Sequence, residues 1–390
     1  MINNRSTKFF LYNLWYGNII QRIKFFFYLK SYSINNQRSD LNWLKDINYN
    51  YNLRFKYKQK NILKDKFENI IYYDLLSFLP KIYLEGFKKL SCNSYNRFKN
   101  FNPEYVVSST SIYKDELFKF WVANNFKKIK LITYQHGGEY FFYKLNTVWE
   151  KFEYHISYKF LSWGTKNCKN TIPLFSPFKS KKSLIYKILK SKNNNILIVM
   201  KPMPYFNSMP FNIVGKELTY YKGMVIGLVK FFEKINFNIS IKSYPIDEYD
   251  KKNEIYNDEI FYKGIKKKFK NVIIQKAAIN NNIYQKKIIV FTYFGTSFLQ
   301  FLHEDIPCVV IEKKNYYNKL AEKLYLEAKK SNLIFNSNKD FFKFFYENNN
   351  RIDDWWKNQK TISIVNKIKN YYSKENMGVR QFSKILLSMN

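Results

Sequence analysis

Short apolar, β-branched runs recur along the chain, separated by longer stretches whose apolar residues fall three and four apart. The runs are "YVVSS" (105–109), "KLITYQ" (130–135), "FLSW" (160–163), "NILIVM" (195–200), "NISIKS" (238–243), "VIIQ" (272–275), "IIVFT" (288–292) and "CVVI" (308–311). Each is bounded by Gly, Pro, Asn or Lys, which is the pattern of a short buried strand. Residues 216–235 carry Leu218, Tyr221, Val225, Leu228, Val229 and Phe232 at helical spacing. Residues 255–269 and 315–330 are similar, and the tail from Ile352 predicts a long helix. Strand and helix in alternation predict an α/β protein with parallel sheets covered on both faces.

A boundary is visible in "FSPFKSKKSLIYKILKSKNNN" (175–195), where Pro177, a Lys/Ser run and three asparagines precede a buried strand. It predicts a linker near 180–194. Three parts follow: an N-terminal Rossmann-like domain over 1–185, a second over 186–351, and a helical tail over 352–390. A length of 390 residues suits two domains. No internal repeat stands out, and the poly-Asn islands at 193–195, 280–282 and 348–350 mark loops.

Composition sharpens this picture in three ways. Hydrophobic residues are 46% and aromatics 20%, so a large core is available and disorder is excluded. Cys92, Cys168 and Cys308 form no CxxC pair; they predict neither a zinc site nor a disulfide framework, and suit a reducing cytoplasm. The net charge of +36 attracts anionic lipid, nucleic acid and phosphorylated substrates. The stretch "KFFLYNLWYGNIIQRIKFFFYLK" (8–30) is too short to span a bilayer, which needs ~20 apolar residues. It reads as an interfacial anchor on an anionic membrane or as a buried first helix.

Candidate chemistry sits where the predicted strands end. "LITYQHGGEYFF" (131–142) places His136, Gly137 and Gly138 after a strand. Glycines without Cβ let a ligand approach the backbone, and exposed N–H groups there face anions. An imidazole, which ordinarily titrates near ~6.5, suits a general base; a turn residue hydrogen-bonded locally is the alternative. Glu139 and Glu153 are candidates to orient it. In "VFTYFGTSFLQFLHEDIPCVVI" (290–311), Gly295 forms a turn and Thr296 and Ser297 open a helix, a place for a phosphate or for an ordinary N-cap. "ISIKSYPIDEYD" (239–250) puts Lys242 on a strand and Tyr244 just past it, and Lys201 follows the first strand of the second half. Each lysine is a point charge able to meet a diphosphate, or a surface lysine. His155 and His303 read as structural.

Taken in order, "YQHGGEY" (134–140), "FLSWGT" (160–165), "IKSYP" (241–245), "TYFGTSFLQFLHEDIP" (292–307) and "DDWWKN" (353–358) resemble a bacterial family of surface-carbohydrate transferases associated with O-antigen and polysaccharide loci. A wider likeness extends to CDP-glycerol glycerophosphotransferases and capsule Kdo transferases. The resemblance covers roughly residues 105 to 365. It implies a GT-B-like glycosyltransferase whose two Rossmann-like domains face a cleft, with His136 on the acceptor side. Gly137, Gly138, Lys201, Lys242, Tyr244, Gly295, Thr296 and Ser297 would bind substrate. The partners implied are a nucleotide-activated sugar donor and a glycan or lipid-linked acceptor at the cytoplasmic face of the membrane. The chain departs from the family pattern at Lys242 (arginine), Ile246 (histidine), Phe294-Gly295 (Asn-Ala) and Tyr158 (acidic). No DxD motif is apparent, so no obligatory metal and no cofactor are expected. A nucleic-acid-binding protein is the competing class, on the charge and on "RFKYKQK" (54–60). Against it, the aromatics are spread along the whole chain and no RRM, KH or zinc pattern occurs.

Overall fold

The computed structural model describes residues 7–14, 19–34, 42–60, 66–144, 147–166, 169–178, 194–201, 203, 216–243, 258–275, 281–312 and 317–389. The linker predicted over 180–194 lies outside these residues except for Asn194, and Tyr244 and Cys168 lie outside them too. Two compact units form. One comprises residues 1–136, 156–160 and 378–390, the other residues 137–155 and 161–377.

The first sheet contains β1 (Phe9–Tyr12), β2 (Tyr32–Ile34), β3 (Tyr105–Ser108), β4 (Lys130–Tyr134), β5 (Lys159–Ser162) and β6 (Thr171–Pro173), in the order β2-β1-β3-β4-β5-β6. β1 pairs in parallel with both β2 and β3, and β3 with β4. All four residues of β1 are buried. Phe10 and Tyr12 enter a core with Leu90, Phe98, Phe118 and Trp121, where Tyr12 stacks on Phe118 at 4.7 Å and Phe98 on Trp121 at 4.7 Å. This corrects the expectation for residues 8–30. Their first part is neither anchor nor helix but an interior strand. The helix Ile19–Leu29 follows; it buries Phe25 and Leu29 and exposes Ile19, Ile20, Ile23, Phe26 and Phe27.

The second sheet contains β7 (Asn195–Val199), β8 (Asn238–Lys242), β9 (Val272–Gln275), β10 (Ile288–Phe291), β11 (Cys308–Ile311) and β12 (Ile334–Phe335). Its order is β12-β11-β10-β7-β8-β9, and every pairing is parallel. Counted within the unit this is the doubly wound 3-2-1-4-5-6 order, which reverses direction between β7 and β10. The helix Lys216–Lys234 covers it with Tyr221, Val225, Leu228, Val229 and Phe232, all buried.

Three helices of this unit leave by the same device. Asn236, Asp305 and Asn332 have φ near +56°, the left-handed region that Asn and Asp tolerate better than most side chains. An apolar residue then drops into the core: Phe237, Ile306 and Leu333, all buried. The Phe237 N–H closes the turn on Phe232 O at 2.9 Å, and the Leu333 N–H on Ala328 O at 2.9 Å. An Asn-rich chain thus stops its helices without glycine. The tail is three helices rather than one: Ile352–Lys357, Gln359–Tyr372 and Gly378–Leu387. Asn358 breaks the first from the second, with ψ of 140° and its side chain accepting from the Lys360 N–H. No helix among the described residues is long and apolar enough to cross a membrane.

Candidate active site

The carboxyl ends of β7, β10 and β11 carry Lys201, Thr292, Thr296 and Glu312 in the second unit. After β7, the Lys201 N–H donates to Tyr221 Oη at 2.7 Å and to Thr292 Oγ1 at 3.1 Å. After β10, the chain turns through Gly295 and starts the helix Thr296–His303. After β11 comes Glu312. Its carboxylate accepts from Tyr143 Oη at 2.7 Å, from Tyr317 Oη at 3.2 Å and from the Phe294 N–H at 3.4 Å. Ligands of doubly wound sheets bind at such a reversal point.

The Gly-Gly turn is seated on this edge. The Gly138 N–H donates to Thr296 Oγ1 at 2.9 Å, joining residues 158 apart in sequence. The bond answers whether Thr296 is an ordinary N-cap: no side chain caps this helix, since the cap residue is Gly295. The Thr296 hydroxyl accepts from Gly138, and a hydroxyl in that state still has its own proton to donate. The seat is tight. A Cβ on Gly138 would lie 2.9 Å from both Thr296 N and Thr296 Cα, while one on Gly137 would meet nothing closer than 3.6 Å. The turn is further held by Phe142, stacked on Phe294 at 3.6 Å, and by Tyr143 on Glu312. Glu139 reaches toward the Gly295 turn, where a Cβ would stand 3.3 Å from its Oε1.

The other predicted residues sort as follows. Lys201 is half-buried, and its charge opposes the burial of Glu312. Lys242 is buried, donates from Nζ to its neighbour Ser243 O at 2.8 Å, and is pushed below the usual lysine range by burial. Glu153 is buried and accepts from the Tyr140 hydroxyl. Ser297 is half-buried in the first turn of its helix. His136 belongs to the first unit, half-buried just past β4, its ring 5.3 Å from that of Tyr113. Near the end of β1 in the same unit, Asn13 Nδ2 donates to Ser111 Oγ at 2.9 Å and Ser109 Oγ to Asn13 O at 2.6 Å. Sequence reasoning missed Asn13, Ser109, Ser111, Tyr143 and Glu312. The run "SSTS" (108–111) at the end of a predicted strand was the available signal for two of them. Among the described residues no group of three or more His, Cys, Asp or Glu could hold a metal ion.

Burial gives this unit opposing acid and base behaviour. Desolvation raises Glu150 to about 7; the nearby Glu153 charge adds to this and the Phe141 N–H opposes it. Desolvation also raises Glu312 to about 7. Desolvation lowers His303, whose Nε2 lies 2.6 Å from Ser373 O, to about 4. A carboxyl raised in the folded state favours folding below its unfolded value near 4.5, and that contribution is lost as pH rises through about 7. A histidine held neutral does the reverse: its contribution is present above about 6.5 and lost as pH falls toward 4. Glu150→Gln keeps an acceptor for Phe141 and removes the charge. Its melting temperature should match the parent near pH 5 and exceed it at pH 8. Each pH unit is worth about 1.4 kcal/mol, so the ceiling is roughly 3 kcal/mol. Parallel melting curves across that range would mean that Glu150 is solvated.

A family model described as "LIC12162 family transferase" matches residues 1–386. No curated protein matches the sequence. Solved structures of similar fold include the UDP-GlcNAc 2-epimerase of Methanocaldococcus jannaschii in complex with UDP-GlcNAc and UDP. It is 11% identical with a TM-score of 0.49, covering 97% of this chain and 99% of that one. The UDP-GlcNAc 2-epimerase of Neisseria meningitidis bound to UDP-GlcNAc is 10% identical with a TM-score of 0.47, covering 97% and 98%. MurG of Acinetobacter baumannii is 9% identical with a TM-score of 0.43, covering 99% and 100%.

Proposed function

Because the chain belongs to the LIC12162 family of transferases, we propose that it transfers a sugar or related group from a nucleotide-activated donor to a surface-polysaccharide or lipid-linked glycan acceptor. The observation that carries this reading is the Gly138–Thr296 hydrogen bond at the reversal point of the second sheet. It seats the Gly-Gly turn on a helix start whose first N–H groups have no partner within the helix, a place suited to an anion, and His136 directly precedes that turn in sequence.

In such a transfer the acceptor hydroxyl attacks the anomeric carbon, its proton passes to a base, and the nucleotide phosphate leaves. His136 is the base. The Thr296 and Ser297 hydroxyls, the first-turn N–H groups and the Lys201 charge meet the leaving phosphate; charge stabilisation of this kind is usually the largest catalytic contribution. Lys201 follows β7, the strand beside β10 at the reversal point, whereas Lys242 Nζ donates to Ser243 O. Of the two candidate orienting carboxylates, Glu139 lies near Gly295 and Glu153 accepts from Tyr140. The proposed setting is the inner face of the cell membrane, where lipid-linked acceptors lie.

The test is calorimetry with UDP, GDP, CMP and CDP on the parent and on Thr296→Val combined with Ser297→Ala. Hydrogen bonds to a charged group are worth about 1.5–3 kcal/mol, so the nucleotide that binds should lose roughly tenfold or more in affinity, while acceptor binding holds. Unchanged nucleotide affinity would leave these hydroxyls a purely structural part.

A further inference from the structure

A long apolar stripe in the first unit points the wrong way for a soluble helix. The helix Lys66–Phe78 carries Phe67, Ile70, Ile71, Leu75 and Phe78 along one side, interrupted there by a single polar residue, Asp74. Such a face ordinarily covers a core. Here Phe67 is 69%, Ile70 59%, Leu75 57% and Phe78 83% exposed, while Leu76 is turned inward. The helix Tyr51–Lys60, which packs against it, adds exposed Tyr51, Phe55 and Tyr57.

What lies beneath is polar. Arg54 is 2% exposed, and its guanidinium forks onto both oxygens of Glu85 at 2.7 Å each. Its third nitrogen donates to Leu76 O at 2.6 Å and Ser77 O at 3.3 Å. The planar fork ties both helices to the turn before the next one. The pair is therefore pinned from the inside by an ion pair while its apolar side faces out. Exposed contiguous apolar surface of this kind marks an interaction site.

We propose that this face rests on an anionic lipid surface. Charge selects the occupant. Among the described side chains of residues 51–89, Lys56, Lys66, Lys81, Lys88 and Lys89 are exposed against two exposed carboxylates, Glu68 and Asp74, while Arg54 and Glu85 neutralise each other inside. A second copy would bring two such surpluses of lysine together, whereas an anionic bilayer attracts them and takes the aromatic and aliphatic side chains into its headgroup layer. From Phe67 to Phe78 the stripe is ~16 Å long at ~1.5 Å per residue, which suits a helix lying in the interface rather than crossing it. The inference rests on the proposed membrane-linked acceptor, and it names a surface beyond the helix Ile19–Leu29.

The experiment is sedimentation of the purified full chain with vesicles of phosphatidylcholine, with and without phosphatidylglycerol, at low and high salt. The parent should bind the anionic vesicles, and salt should weaken binding. Phe67→Ser, Ile71→Ser and Phe78→Ser together should lower that partition at least tenfold without lowering the melting temperature, because the side chains are exposed. Lys56→Glu with Lys66→Glu, which leaves the stripe intact, should weaken binding to anionic vesicles only. Failure of the parent to bind, or equal binding by the triple variant, overturns the proposal. A parent dimer that becomes monomeric in the triple variant with vesicle binding unchanged assigns the face to a second copy instead. Nucleotide calorimetry on the same samples separates the two readings. A chain that binds vesicles but no nucleotide keeps the surface and loses the transferase assignment of the site, and the reverse result does the opposite.

Discussion

His136→Ala is expected to lower turnover by about two to four orders of magnitude, the usual contribution of a positioned general base, with an unchanged melting temperature. The unchanged fold follows from the surroundings. The side chain is half-buried, past the end of β4 rather than inside it, and its neighbour Tyr113 sits on the four-residue helix Ser111–Lys114. Removing the ring leaves no sealed cavity. The large loss follows from the chain's scarcity of alternatives. It has three histidines; His303 is buried and held near 4, and His155 is exposed at a helix end with Nδ1 2.6 Å from Lys151 O. Neither lies next to the Gly-Gly turn in sequence. The measurement is single-turnover transfer with a donor and acceptor shown to react with the parent, alongside thermal melting. Transfer within a few-fold of the parent would remove His136 from the proton step and shift attention to Glu312, which burial keeps near 7.

How much of this was legible in the sequence depended on the length of each element. All eight predicted strands are present within a residue or two of their expected bounds, because each is an apolar run of about four residues, β-branched in every case but "FLSW". β2 and β6 are three residues long and β12 is two, too short for any alternation to register. β1 was hidden differently: "FFLY" is aromatic rather than β-branched and sits in a basic, aromatic stretch that resembles an interfacial segment. The breaks in the tail depend on single residues such as Asn358, in a chain where asparagine is too common to be a signal. Within the site, the Gly-Gly and Thr-Ser pairs were legible because each needs a local backbone feature. Glu312 and Tyr143 were not. "VVIEKK" reads as a strand running out into solvated charge, and only the meeting of the 138–143 turn with the end of β11 makes that glutamate a buried acceptor.

Gly138→Ala is the substitution expected to damage both stability and function, and Gly137→Ala is its control. A Cβ at 138 would fall 2.9 Å from Thr296 N and Cα and 2.6 Å from Leu299 Cδ1. The leucine end can rotate away, but the Thr296 backbone is the first residue of a helix and cannot. The turn must lift, which lengthens or breaks the Gly138–Thr296 bond and pulls on Phe142 and Tyr143 further along the same segment. Overpacking of this kind costs typically ~1–3 kcal/mol, and the lost hydrogen bond adds ~0.5–1.5 kcal/mol. At 137 the nearest atom is a Tyr140 ring carbon at 3.6 Å, an ordinary contact, so alanine fits there. The two variants add the same methyl to adjacent residues, and propensity differences between them are small. Melting should therefore fall by several degrees for Gly138→Ala and stay near the parent for Gly137→Ala. Nucleotide affinity should drop in the first alone, because the displaced helix start is the proposed phosphate contact. Equal behaviour of the two variants in both measurements would mean that the turn rides freely over the helix, and the bond between Gly138 and Thr296 would then have no part in holding the site.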